Sequence, residues 1–185
     1  DDVRKKTLRK DELSHLKNCA IKSSKLLGVK SIDFTNFPDN RMDSLDLLDI
    51  IKPIEKYIAK IQPSIVLTHS PIDLNIDHQI IHKAVTTACR PQMNLTVKRI
   101  LVFEIPSATE WQSPVYGRGF LPNWYENISD TLDLKIKALK IYSSEMRDWP
   151  HPRSIEGVEY LARWRGSIIG AEAAESFVLI REIKD

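Results

Sequence analysis

The stretch Thr68–His82 reads THSPIDLNIDHQIIH, and the interpretation of the whole chain depends on it. It follows a short apolar run, Ile65–Leu67, and leads into a segment of helical periodicity, which predicts a strand, a loop and a helix. In an open α/β sheet, ligands usually bind at loops that leave the carboxyl ends of strands. This loop also concentrates groups that can bind a metal or move a proton: His69, Asp73, Asn75, Asp77, His78 and His82.

Strands and helices are predicted to alternate on both sides of this loop. A helix at Ser44–Ile61 precedes the strand Ile65–Thr68, and a helix at Asp77–Cys89 separates it from a strand at Arg99–Phe103. This spacing indicates a single domain over residues 1–185 with a Rossmann-like three-layer α/β/α fold and a mostly parallel sheet. The remaining predictions are helices at Thr7–Leu27, from Ser129 or Asp130 to Tyr142, and at Ser154–Ile169, and strands at Ile32–Phe34, Trp124–Ile128 and Phe177–Ile183.

Composition excludes several classes of protein. The 27 basic and 25 acidic residues give a net charge of +2, too balanced for nucleic acid or an anionic membrane surface to be the main partner. No apolar run has the length of a membrane span. The two cysteines, Cys19 and Cys89, lie within apolar helical patterns, which predicts buried free thiols in a reducing, cytoplasmic compartment.

Two metal-binding motifs resemble the loop only in part. Asp73, Asn75 and Asp77 match the start of an EF-hand calcium loop, but its required glycine and glutamate are replaced by His78 and Ala84. His78 and His82 have the spacing of the zinc metalloprotease motif, but Gln79 stands where that motif needs glutamate. The stretch Thr68–His82 therefore contains neither of these two metal-binding motifs.

A third interpretation places Asp77 and His78 at the start of the helix, on the carboxyl edge of the sheet. There His78 can present one ring nitrogen to zinc while Asp77 orients neighbouring groups. A catalytic zinc needs about three protein ligands, so the others would come from elsewhere. On spacing alone, an ordinary helix start with Asp77 as N-cap is favoured over a metal site.

Motifs along nearly the whole chain resemble the PIG-L/LmbE-like zinc N-deacetylases, and a bacterial subgroup in particular. The stretch Pro63–His82 is similar to the second signature of that family. Further segments agree in order along the chain: Arg9-x-x-Glu12, Leu27-Gly28-Val29, Phe37-Pro38-Asp39-Asn40-Arg41-Met42-Asp43, Pro150-His151-Pro152-Arg153-Ser154 and Ala174-Glu175-x-Phe177.

One departure from the family pattern concerns its first signature, His-Pro-Asp-Asp-Glu, which is absent from these residues. By resemblance, that motif supplies two zinc ligands and the general base. We expect roughly 40–60 upstream residues to carry it, with the first strand and helix, because a parallel sheet without its central strand would leave a bare edge.

The resemblance implies zinc-dependent removal of an N-acetyl group from an amino sugar or its conjugate, with release of acetate. His78 is then a zinc ligand, and Asp77 orients His78 or the base. Asn75 stands where some members of the family carry a histidine that stabilises the tetrahedral intermediate, and its amide would donate to the oxyanion in place of that histidine. The same resemblance places a further set of residues at the substrate: Arg9, Asp39, Asp43, His151 and Arg153.

Two alternatives remain open at this point. One is a non-catalytic carbohydrate-binding or regulatory protein that keeps the fold, and the other is a hydrolase of another small amide. The expected partner is an N-acetylated sugar or glycoconjugate, without nucleic acid or a membrane span. Apolar residues in the late loops leave room for a homo-oligomer interface.

Overall fold

The computed structural model describes residues 2–93, 95–113 and 119–184, with side chains from residue 11 onward. These residues form the helices α1 (Asp2–Leu26), α2 (Leu47–Ile61), α3 (Ile76–Ala88), α4 (Leu132–Lys140) and α5 (Ile155–Ile169). The strands are β1 (Ile65–Thr68), β2 (Arg99–Phe103), β3 (Trp124–Asn127) and β4 (Ala174–Glu182), and short 3-10 turns lie at Met42–Ser44 and Ser129–Thr131.

Contacts within the chain separate two compact units. The helical unit comprises residues 1–35 and 127–174, and the sheet unit comprises residues 36–126 and 175–185. That residues 1–185 act as one domain stays a prediction.

The sheet has the strand order β1-β2-β4-β3. β1 and β2 are parallel, with Thr68 opposite Val102, and β4 runs antiparallel to β2, with Phe177 opposite Phe103. The predicted α/β class is confirmed. Because β1 and β2 are parallel, the loops that follow Thr68 and Phe103 leave from the same edge of the sheet.

α3 packs on two neighbours because its apolar residues recur at steps of three and four. Ala84 and Ala88 contact the α2 side, in a cluster that includes Ile50 and Met42. A second buried cluster lies between α3 and β2 and consists of Val85, Cys89, Val97 and Ile100. α3, the helix that follows the polar loop after β1, thus packs against both the sheet and α2.

The helical unit is built on Leu132, Ala162 and Ala173, which form its buried cluster. α5 starts where the sequence predicted, and Ser154 is its N-cap, with Oγ accepting a hydrogen bond from the backbone N–H of Gly157 at 2.9 Å. It ends at Gly170, whose φ of 71° favours glycine. Both predicted ends of this helix are confirmed.

The strand predicted at Ile32–Phe34 is wrong, since the chain there has no regular structure. Ile32 and Phe34 are 39% and 42% exposed, so the apolar side chains of this short run are not covered as a half-buried strand would require. Pro53 lies inside α2. Among the described helices, none is both long and apolar enough to cross a membrane.

Candidate functional site

The His78 imidazole lies in the first turns of α3 and is bound by a carboxylate. Its Nδ1 atom is 2.9 Å from Oδ2 of Asp73, and the ring remains 20% exposed. A carboxylate accepts the hydrogen bond, so Nδ1 carries the proton and the lone pair stays on Nε2. That arrangement is the one in which a histidine binds a metal through Nε2.

Asp73 is fully buried, and both of its carboxylate oxygens have partners. Oδ1 accepts a hydrogen bond from the Thr109 hydroxyl at 2.7 Å, while Oδ2 faces His78. The Gln79 side chain donates to the Asp73 carbonyl oxygen at 2.7 Å. Asp73 follows β1 and Thr109 follows β2, so the parallel pairing of these strands brings the two loops together.

His69 holds the other side of the His78 ring. The two imidazoles stack with centroids 4.3 Å apart and planes inclined by 29°, and Phe103 packs against His69 at 4.8 Å. Burial, together with the neighbouring His78, lowers the pKa of His69 from 6.5 to about 4. His69 is therefore neutral at pH 7, and the orientation of the His78 ring is fixed by stacking as well as by Asp73.

His82 lies one turn further along α3. Its Nδ1–H donates to the backbone carbonyl of His69 at 2.8 Å, which ties α3 to the end of β1. A cavity of about 290 Å³ adjoins this histidine and is lined mainly by apolar groups: Pro71, Ile72, Val102, Phe120, Leu121, Val178 and Ile180, with Ser70. The loop after β1 therefore faces both a polar cluster and an apolar cavity.

Asp77 has different partners from those that the sequence predicted. Its Oδ2 accepts a hydrogen bond from the backbone N–H of Asn40 at 2.7 Å, and its Oδ1 accepts one from Met42 at 3.0 Å. The carboxylate that contacts His78 is Asp73 instead. Asp77 therefore makes no hydrogen bond to His78, because both of its oxygens accept from the loop before α2, and the prediction that it orients His78 is corrected. Orientation of the base by Asp77 stays a prediction.

Asn75 is the N-cap of α3, a position that the sequence assigned to Asp77. Its Oδ1 accepts the Asp77 backbone N–H at 2.8 Å, and its Nδ2 donates to Oδ1 of Asn40 at 3.0 Å. An amide nitrogen carries two hydrogens, so one remains for another acceptor. Donation by Asn75 to a substrate oxyanion stays a prediction.

Two of the predicted substrate residues, Asp39 and Asp43, lie in the loop that Asp77 binds. Both are exposed and flank the two amides that Asp77 accepts. Arg9 is on α1, within the part whose side chains are outside the described residues. The contacts of these three residues with a sugar stay predictions.

His151 and Arg153 belong to the helical unit, in the segment just before α5. The Arg153 backbone N–H donates to His151 Nδ1 at 3.0 Å, and the Arg153 guanidinium is 3.8 Å from the Glu145 carboxylate. The Nδ1 atom of His151 is thus an acceptor. A role of either residue in the substrate pocket stays a prediction.

The sequence did not single out the residues that hold His78. Asp73 stood among the polar residues of the loop, five positions before His78, but that spacing is not a recognised helix-face pair. Thr109 lies 36 residues further on and gave no local signal. Among the side chains of residues 11–93, 95–113 and 119–184, no three histidine, cysteine, aspartate or glutamate groups converge as a metal site would require.

Comparisons with known proteins find a family that matches part of the sequence and solved structures that share the fold. The PIG-L family, described as GlcNAc-PI de-N-acetylase, matches residues 2–89. No curated protein matches this chain. The conserved protein TT1542 from Thermus thermophilus superposes with a TM-score of 0.74 at 18% identity, over 93% of this chain and 76% of that one.

Two further solved structures with this fold are described as deacetylases. N,N'-diacetylchitobiose deacetylase from Pyrococcus horikoshii has a TM-score of 0.69 at 20% identity, over 91% of this chain and 64% of that one. The zinc inhibited form of teicoplanin deacetylase Orf2 has a TM-score of 0.54 at 17% identity, over 85% and 60%. The match at residues 2–89 and the shared fold confirm the resemblance to PIG-L/LmbE-like proteins that the motifs indicated.

Proposed function

We propose that this protein hydrolyses the acetamide of an N-acetylated amino sugar or amino-sugar conjugate and releases acetate and a free amine. The family match and the deacetylase structures support the reaction class. The observation that carries the proposal is the hydrogen bond of 2.9 Å between His78 Nδ1 and Oδ2 of the buried Asp73. It leaves Nε2 of a half-buried histidine with a lone pair, next to the carboxyl edge of the sheet.

The residues at this edge fit one part of a zinc site. Neutral imidazole is a common zinc ligand, and a hydrogen-bonded carboxylate on the other nitrogen is its usual companion. About two more protein ligands are needed, and the resemblance assigns them to a His-Pro-Asp-Asp-Glu motif. When bound, zinc would polarise the acetamide carbonyl and lower the pKa of a water molecule.

The chain's own residues divide the remaining tasks. His78 binds the metal, and Asp39 and Asp43 accept hydrogen bonds from sugar hydroxyls, as exposed carboxylates can. The resemblance also assigns substrate contacts to Arg9, His151 and Arg153. The free amide hydrogen of Asn75 donates to the carbonyl oxygen of the acetamide as negative charge develops there.

The proposal is tested by measuring acetate release from a panel of N-acetylated amino sugars, nucleotide sugars and small amides. The full natural chain should release one acetate per amine formed from at least one acetylated sugar. Chelation should abolish the release, and added zinc should restore it. Turnover of small amides with none on any sugar would contradict the substrate class, and turnover that survives chelation would contradict the metal requirement.

A further inference from the structure

Asp77 accepts hydrogen bonds from a loop that lies far from it in sequence. The loop, Pro38–Asp43, is called the recognition loop here because it contains both predicted sugar-binding carboxylates. Each Asp77 oxygen accepts a different backbone N–H, from Asn40 at 2.7 Å and from Met42 at 3.0 Å. Because the acceptor is charged and each of its oxygens takes one amide, these bonds are strong and fix the direction of the loop.

The recognition loop has two further attachments. Asn75 donates to the Asn40 side chain at 3.0 Å, so Asn40 is held through both its backbone and its amide. Asn40 has a φ of 53°, in the left-handed region that asparagine tolerates better than most residues. Met42 is 5% exposed and packs with Ile50 in the core between α2 and α3. The centre of the loop is thus bound from the α3 side and anchored by a buried side chain.

The first turns of α3 connect this loop to the metal ligand. Asp77 and His78 are consecutive, and neighbouring side chains on an α-helix point about 100° apart. One side chain binds the recognition loop while the next presents its ring nitrogen, so a single rigid turn sets the distance between them. Asp39 and Asp43 lie just outside the two anchored amides and are exposed.

We propose that Asp77 is a positioning residue for substrate recognition, which holds the recognition loop at a set distance from the metal-binding nitrogen of His78. The inference rests on the proposed function and deepens it. In this role Asp77 contacts neither the reacting atoms nor the metal ligand. Removal of its carboxylate therefore weakens sugar binding and leaves metal binding intact.

The test compares the wild-type chain with Asp77→Ala and Asp77→Asn in amide hydrogen exchange, zinc content, KM and kcat. In Asp77→Ala, exchange at Asn40 and Met42 should accelerate and KM should rise by about tenfold or more, the effect of losing hydrogen bonds to a charged group. Zinc content should stay unchanged, and kcat should stay within a few-fold of wild type. Asp77→Asn keeps one oxygen acceptor and should recover part of both losses, which also separates the effect from a general failure to fold.

Asp49→Ala is the matched control, because it removes an exposed carboxylate from the first turn of α2 in the same unit. It should change none of the four quantities. Loss of zinc in Asp77→Ala, or a lower kcat with KM unchanged, would overturn the proposal and place Asp77 at the metal or the reacting atoms. Unchanged exchange at Asn40 and Met42 would overturn it as well. A wild-type protein inactive on every acetylated sugar would contradict the proposed function instead.

Discussion

At the scale of single residues, the candidate site depends on which groups hydrogen-bond to the carboxylate of Asp73. A fully buried carboxylate is costly unless its oxygens are hydrogen-bonded, and this one is bonded to Thr109 and His78. The pair explains why a histidine at a helix start, ordinary in sequence, has a defined orientation. The sequence indicated His78 as a ligand through the family resemblance, but it did not indicate Asp73 as its partner.

Asp73→Asn should weaken metal binding while leaving the chain folded. An amide at this position cannot supply the negative charge that stabilises a metal-bound imidazole, so affinity for zinc should fall by about 10–100-fold. Competition against a chelator of known affinity measures the change. An unchanged dissociation constant for zinc would show that Asp73 supports the fold alone.

Thr109→Val should destabilise the protein although it preserves the shape of the side chain. The substitution removes the hydroxyl that donates to Asp73 Oδ1 and leaves a buried carboxylate oxygen unpaired, which costs about 1–3 kcal/mol. Urea denaturation measures the free energy of unfolding. Thr87→Val, at an exposed position on α3, is the control and should change that free energy much less. Equal effects would contradict the buried hydrogen bond.

At the scale of elements, the predictions were most successful where local signals agreed. β1 and β2 match the predicted bounds, and α5 begins at its serine cap and ends at its glycine. The failure at Ile32–Phe34 has a physical cause, because a short apolar-polar alternation forms a strand only where another strand and a core are available to cover it. Cap assignment at α3 was two residues off, since Asn75 and Asp77 are both good cap residues.

Asn75→Ala should destabilise the sheet unit by about 1 kcal/mol, the usual cost of removing an N-cap. The expected loss is larger than for a surface substitution, since Asn75 also donates to Asn40. Urea denaturation of the variant beside Asn75→Asp separates the two contributions, because aspartate keeps the cap acceptor and loses the donor. No loss of stability in Asn75→Ala would contradict the capping role.

At the scale of the whole molecule, the α/β class was predictable because strand and helix periods alternate along the chain. The arrangement of the candidate site was not, because its deciding contacts join distant residues. Asp77 meets Asn40 across 37 positions, and Asp73 meets Thr109 across 36. Such pairs depend on which strands lie side by side, and one sequence contains no local signal for that. Asp39 and Asp43 lie in one loop, whose attachment to α3 became visible only in the fold.

Acid should lower the free energy of unfolding of the metal-free protein, because His69 is buried as a neutral ring. Its folded pKa is lowered to about 4 from 6.5, so between these values the unfolded chain binds a proton that the folded chain does not. The free energy of unfolding should therefore fall as the pH drops from 6.5 toward 4, and the contribution should be constant above that range. Urea denaturation at several pH values should give a shallower dependence for His69→Phe than for wild type. Identical slopes would contradict the burial of a neutral His69.

The most direct test of the central claim is the zinc content of the full natural chain beside His78→Ala, with His15→Ala as the control histidine. His15 is exposed on α1 and has no part in the proposed site. We expect about one zinc per wild-type chain, the same in His15→Ala, and a loss of zinc in His78→Ala. Zinc content that is unchanged in His78→Ala would contradict the assignment of His78 as a metal ligand, and with it the proposed reaction at this edge of the sheet.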